Sequence, residues 1–226
     1  MDIPLWLRSK KKVKRSLLAL LTALVFLCFQ AQAFDLDLNI LKQVKERFGD
    51  AASERILAWQ QIVRDNQRLE QAEKLKLIND FFNQVRFISD LEHWQREDYW
   101  ATPLEMLATN GADCEDYSIA KYFTLRELGI ADEQLKITYV KALKLNQAHM
   151  VLAYYPKPGD EPLILDNLVD EILPASERPD LAPVYSFNGE GLWLSKLSSQ
   201  EGKRIGEASK LKNWQDNMTR HNRLFK

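Results

Sequence analysis

Cys114 is the only cysteine beyond residue 33, and His93, His149 and His221 are the chain's only histidines. A cysteine nucleophile, an imidazole base and a carboxylate that orients the ring perform acyl transfer. Gly111-Ala112-Asp113-Cys114 reads as a short loop ending where a helix begins. The positive end of that helix and its free N–H groups favour thiolate, and the small residues let a substrate backbone approach. His149 opens the strand-like HMVLAYY, and Asp166 ends the next one, Leu163-Ile164-Leu165-Asp166, beyond the turn Pro156-Lys157-Pro158-Gly159-Asp160. If these strands pair as a hairpin, the start of one faces the end of the other, and Asp166 can orient His149. His93 sits in an aromatic loop, and His221, beside Arg220 and Arg223, reads as solvated. Each member also has a plainer reading: structural thiol, strand-end histidine, turn-forming aspartate. Their joint arrangement is what favours a Cys114–His149–Asp166 triad.

Asp113, Glu115 and Asp116 crowd the nucleophile. Bare carboxylates there would raise the thiol's pKa. Two readings stand. At a helix N-terminus negative charge is stabilised by roughly 0.3–1 kcal/mol per group. Alternatively the carboxylates hold calcium, which takes roughly six to eight oxygen ligands. No EF-hand loop is present, and zinc is disfavoured because the lone cysteine is needed for attack. The Cys114 N–H is one oxyanion donor. A second could come from the Tyr99–Trp100 region. Trp94, Tyr99 and Trp100 could equally be core or an exposed docking surface.

The elements that must position these residues are legible in outline. Ile56, Trp59, Ile62 and Val63 recur at helical spacing, with Ser53 as a cap. Leu75, Ile78, Phe81, Phe82 and Val85 mark a second helix. Residues 86–112 read as an irregular aromatic-rich connection. Asp113 to Gly129 reads as a helix with Gly129 as its stop. Strands are expected over Gln134–Ala142, His149–Tyr155 and Leu163–Asp166, with Val184–Phe187 and Gly191–Leu194 extending the sheet. Lys210 to Leu224 reads as a final helix. The fold class is α+β, with N-terminal helices packed on an antiparallel sheet.

The 226 residues carry 31 Lys+Arg against 32 Asp+Glu, a net charge of −1, with 46% hydrophobic residues. That excludes a disordered chain and gives no basic excess for nucleic acid. Residues 1–33 read as a secretory signal: Arg8, Lys10, Lys11, Lys12, Lys14 and Arg15, then the apolar run Leu17–Phe29, then Ala31-Gln32-Ala33. The run spans 13 residues, short of the roughly 20 of a membrane helix. Cleavage would remove Cys28, six basic residues and one acidic residue, leaving residues 34–226 with a net charge of −6. One cysteine in an oxidising compartment cannot form an intramolecular disulfide, so it is either buried and inert or kept for its reactivity.

Tyr99-Trp100-Ala101-Thr102-Pro103-Leu104-Glu105, then Gly111-Ala112-Asp113-Cys114-Glu115-Asp116-Tyr117-Ser118-Ile119-Ala120-Lys121-Tyr122-Phe123, with His149-Met150-Val151-Leu152 and Leu165-Asp166-Asn167, resembles the bacterial transglutaminase-like cysteine proteinases of the LapG type. The resemblance runs over essentially all of residues 34–226. It implies a papain-like, transglutaminase-like fold and catalysis by Cys114, His149 and Asp166. It implies calcium dependence, with Asp113 and Glu115 as ligands and Asp116 as a third candidate. It also implies a periplasmic endopeptidase that cuts a very large surface adhesin near its N-terminus, in an Ala-Ala context, and so disperses biofilm. An inner-membrane cyclic-di-GMP receptor of the LapD type would hold the enzyme. The rival readings are a transglutaminase-type acyltransferase using the same triad and a non-catalytic binding module on the same fold.

Overall fold

The structure, a computed structural model, describes residues 34, 36–194 and 202–224. The expected signal, residues 1–33 with Cys28, lies outside the described residues. Among the described residues three helices come first: α1 (Leu38–Phe48), α2 (Asp50–Asp65) and α3 (Gln71–Phe82). The Asp37 side chain caps α1 by accepting the Asn39 N–H at 2.9 Å, and Glu73 reaches back to the Glu70 N–H at 3.2 Å at the start of α3. Ser53 is not a cap; it lies inside α2, which begins just after Gly49.

The connection 86–112 is more ordered than its sequence suggests. Arg86–Phe87 (β1) pairs in parallel with Gly111–Ala112 (β2), and between them lie two short helices, α4 (Asp90–Trp94) and α5 (Pro103–Thr109). A capping box starts α5: Thr102 N–H donates to Glu105 Oε2 at 2.8 Å, Glu105 N–H to Thr102 Oγ1 at 3.3 Å, and Pro103 occupies the first turn. Gly111 is required by close approach, since a Cβ there would meet Ile88 Cδ1 at 2.7 Å and His93 Cε1 at 2.9 Å.

Helix α6 (Cys114–Glu127) lies against α3, α5 and the sheet. It is buried all round from Glu115 to Leu125 rather than along one stripe. Its polar side chains therefore need partners. Thr124 Oγ1 accepts the Trp59 indole N–H at 2.8 Å, and Tyr117 donates to the Val85 carbonyl. Tyr122 donates to Asp132. Gly129 ends the helix at φ +86°, where Ile130 N–H returns to Leu125 O at 3.0 Å and Gly129 N–H to Arg126 O at 2.9 Å.

The rest is a seven-stranded antiparallel sheet: β3 (Leu135–Ala142), β4 (Gln147–Tyr154), β5 (Leu163–Leu165), β6 (Leu173–Pro174), β7 (Leu181–Phe187), β8 (Leu192–Leu194) and β9 (Lys203–Gly206), in the order β6-β5-β4-β3-β7-β8-β9. A final helix, α7 (Lys212–His221), packs Trp214 against Phe123 and Phe187. It carries His221 inward, stacked on the Phe123 ring at 3.8 Å, so the solvated position expected for His221 is corrected. Burial lowers the His221 pKa to about 4. Among the described residues no helix is long and apolar enough to cross a membrane.

Trp59 and Thr124 are both fully buried, so water cannot readily replace the hydroxyl as the indole's acceptor. Thr124→Val keeps the shape and strands the N–H. Urea denaturation should show a loss of about 1–3 kcal/mol; an unchanged midpoint would mean the bond contributes nothing.

Candidate active site

The parallel bridge β1–β2 decides what surrounds the nucleophile. Ile88 N–H donates to Ala112 O at 2.8 Å, so the chain after β1 runs beside the loop leading into α6. This brings Asp90 to Asp113 across a gap of 23 residues in sequence. One carboxylate oxygen from each of Asp90, Asp113 and Glu115 lies within 4.8 Å of the others. Asp90 accepts the Tyr99 N–H through Oδ2, while its Oδ1, like Asp113 Oδ1, is buried without a hydrogen-bond partner. Two orphaned carboxylate oxygens in a three-carboxylate cluster fit a hard, oxygen-seeking cation.

Asp116, the third ligand expected from sequence, is placed differently. Its Oδ1 accepts the Ala101 N–H at 2.6 Å and its Oδ2 the Asp113 N–H at 3.4 Å. It caps α6 and ties down the 99–101 loop. Asp90 was absent from the sequence reading because nothing local marks it; only the β1–β2 pairing reveals it. Within the Tyr99–Trp100 region offered for a second oxyanion donor, the Tyr99 N–H is taken by Asp90. Trp100 is core, stacked on Phe187 at 5.5 Å, while Trp94 and Tyr99 are half-buried against each other.

With no counter-charge the cluster is electrostatically costly. Burial, then the Glu115 and Asp98 carboxylates, outweigh the Tyr99 N–H and push Asp90 up to about 6. Burial, then Glu115 and Asp116, push Asp113 far above the carboxylate range. Asp116 is raised by burial and by Glu115. Cys114 is half-buried, and its thiol donates to Glu115 Oε2 at 3.1 Å. Burial, then Glu115 and Asp113, push the thiol up, while the Met150 N–H works in the opposite direction. The helix-start advantage expected for the thiolate is therefore outweighed until the carboxylates are neutralised.

The Met150 contact places Cys114 beside the residue that follows His149. His149 lies in β4 opposite Val140. Strand β4 pairs with β5 in the register Leu152↔Leu165, Ala153↔Ile164, Tyr154↔Leu163. Asp166, just past β5, thus comes level with Val151, two residues beyond His149. His149 Nε2 is 2.7 Å from Asp166 Oδ1, which also accepts the Leu168 N–H at 3.0 Å. Nδ1, the other ring nitrogen, takes no part in this contact. Asp166 Oδ2 is held by the buried Arg178, whose Nη2 donates at 2.7 Å. Burial alone would raise the Asp166 pKa. The hydrogen bond and charge of His149, the Leu168 N–H and Arg178 outweigh it and hold the carboxyl at about 2. Its folded pKa lies below its unfolded value, so its stabilisation is full above about pH 4 and is lost as pH falls through about 2. Arg178 escaped the sequence reading, since an arginine 12 residues beyond Asp166 carries no local signal. His93 sits apart, with Nε2 2.9 Å from Thr109 Oγ1.

Residues 51–181 match the profile of the bacterial transglutaminase-like cysteine proteinase (BTLCP) family. Among solved structures, LapG from Legionella pneumophila is 44% identical over 81% of this chain and 96% of its own, with a TM-score of 0.70. An EGTA-treated structure of the same Legionella protein gives a TM-score of 0.71 at 44% identity, over 81% of this chain and 96% of that one. A calcium-bound structure gives 0.69 at 42% identity, over 80% and 96%. No curated protein matches.

Asp113 is raised in the cation-free chain, so its contribution to stability is full below about pH 4 and is lost as pH rises through its folded value. In chelator at pH 7, Asp113→Asn should therefore melt higher than wild type. Wild type should gain about 2.7 kcal/mol at a divalent cation concentration 100 times Kd. A lower melting temperature for Asp113→Asn in chelator would contradict the repulsion described here.

Proposed function

We propose that this chain, which belongs to the bacterial transglutaminase-like cysteine proteinases, is a calcium-dependent cysteine endopeptidase acting in the periplasm on a large cell-surface adhesin. The observation that carries the catalytic reading is the 2.7 Å contact between His149 Nε2 and Asp166 Oδ1, with the next residue's N–H on the Cys114 sulfur. Cys114 attacks a peptide carbonyl. His149 takes the thiol proton and passes it to the leaving amine, which frees the new N-terminus. Asp166 fixes the ring and stabilises the imidazolium. Water, deprotonated by His149, then opens the acyl-enzyme. The Cys114 N–H, in the first turn of α6, is the donor this reading offers to the oxyanion.

The metal reading rests on Asp90, Asp113 and Glu115 and is supported by the similarity to a calcium-bound Legionella LapG. Bound there, calcium supplies the positive charge that offsets these carboxylates beside the thiol. Residues 1–33 act as a cleavable signal, so that residues 34–226 work outside the cytoplasm. Substrate is the N-terminal region of a large adhesin, cut in an Ala-Ala context to release it and disperse biofilm. An inner-membrane cyclic-di-GMP receptor of the LapD type restrains the enzyme when the nucleotide is abundant. The support for substrate and receptor is the relationship to LapG.

The test is digestion of a recombinant adhesin N-terminal fragment by residues 34–226, with calcium or EGTA, read by mass spectrometry. One cut is expected between small residues, lost with Cys114→Ala or His149→Ala and reduced at least about 100-fold in EGTA. Asp90→Asn should demand more calcium for the same rate, whereas Asp90→Asn with an unchanged calcium requirement would remove Asp90 from the ligand set. A cross-linked product in place of two fragments would replace hydrolysis by acyl transfer.

A further inference from the structure

Asp166 has more holding it than the triad requires. An ionised carboxylate offers about four acceptor positions, and three are occupied here: His149 Nε2 and the Leu168 N–H on Oδ1, and Arg178 Nη2 on Oδ2. Arg178 is 4% exposed and Asp166 1% exposed, so water cannot readily substitute for either partner. Arg178 is itself fixed by Asp180, with Nε on Oδ1 at 3.0 Å and Nη2 on Oδ2 at 2.9 Å. The Asp180 carbonyl accepts the Leu143 N–H at 2.8 Å, at the turn that joins β3 to β4. The contacts therefore close a ring: the β3–β4 turn to Asp180, Asp180 to Arg178, Arg178 to Asp166, and Asp166 to His149 near the start of β4.

We infer that Arg178 is a positioning residue for the triad: by holding Oδ2 it fixes the plane of the Asp166 carboxylate, so that Oδ1 stays on His149 Nε2. The catalytic consequence rests on the proteolytic reading, but the hold on Asp166 does not. Without Arg178, Oδ2 is a buried acceptor lacking its donor, and the carboxylate turns to find another. The ring it orients then leaves the productive geometry, and small misplacements cost about 100-fold in rate. Lysine at this position keeps a charge but cannot present the planar fork that serves two carboxylates.

The test compares Arg178→Met, Arg178→Lys, Asp166→Asn and the Arg178→Met/Asp166→Asn double variant. Two readouts are used: the downfield proton resonance of the His149 Nε2–H, assigned by its loss in His149→Ala, and cleavage of the adhesin fragment. In Arg178→Met the resonance should shift or vanish, with kcat down about 100-fold and KM unchanged. In the Asp166→Asn background the same change should alter kcat by no more than about twofold, because Arg178 acts through Asp166. A resonance unmoved in Arg178→Met, or an equal loss of kcat in both backgrounds, overturns the inference. Should Arg178→Met fail to fold by circular dichroism, Arg178→Lys decides: a displaced resonance with reduced kcat supports it, and a wild-type resonance and rate refute it. If the wild type leaves the fragment uncut, the proteolytic reading falls while the resonance still decides whether Arg178 holds Asp166.

Discussion

A buried carboxylate stays ionised only if the protein supplies what water supplied. Asp166 is met on one oxygen by His149 and a backbone N–H, and on the other by Arg178. Its main-chain carbonyl is bonded as well, by Asn83 Nδ2 at 2.9 Å from the end of α3 and by Lys121 Nζ at 3.1 Å from α6. The sheet, the N-terminal helices and the nucleophile helix thus meet at one residue. Breaking a buried pair of this kind costs about 3–5 kcal/mol, because a charge is left behind. That cost holds the imidazole against Asp166.

The other end of the site has the opposite character. Asp90, Asp113 and Glu115 come together with two oxygens unsatisfied, and the thiol proton itself is spent on Glu115. At the Asp166 end the counter-charges belong to the fold. At the Cys114 end the fold provides Asp116 to cap α6 and positions three further carboxylates with no protein donor for the orphaned oxygens. A cation bound by carboxylates so arranged would supply energy that is also folding energy, since the free chain suffers their repulsion. Stability and thiol reactivity are then linked through the same residues.

Much of this was legible in the sequence, for physical reasons that can be named. Helix α6 announces itself through the loop before it and Gly129 after it, and the β4–β5 hairpin through its Pro-Gly turn. These are local signals, and they suffice to bring His149 to Asp166. What was illegible depends on pairing between distant segments. Two-residue strands such as β1 and β2 have no periodicity to read, yet their bridge delivers Asp90 to Asp113. Arg178 reaches Asp166 from a short 3₁₀ turn, Ala175–Glu177, that no pattern marks. His221 was misread because its Arg220 and Arg223 neighbours signal solvent, while the Trp214 face of α7 turns it into the core. Asp116 stands three residues beyond Asp113, the spacing of a reciprocal cap, and its oxygens accept the Ala101 and Asp113 N–H groups.

Lys121 shows why a polar residue is retained in so apolar a helix. It lies seven residues, about two turns, beyond Cys114, fully buried. A leucine there would pack as well and would spare the desolvation that lowers the Lys121 pKa to about 7. A leucine could not reach the Asp166 carbonyl at 3.1 Å or Asn79 Oδ1 at 2.8 Å. Apolar contacts tolerate sliding, whereas a buried amine between two fixed acceptors does not. The stability given up to bury Lys121 therefore sets the register of α6 against the end of β5, which Asp166 follows, and with it the position of Cys114 relative to His149. Cys114 and His149 come from elements with separate local signals, and a directional polar contact is what holds those elements in one geometry.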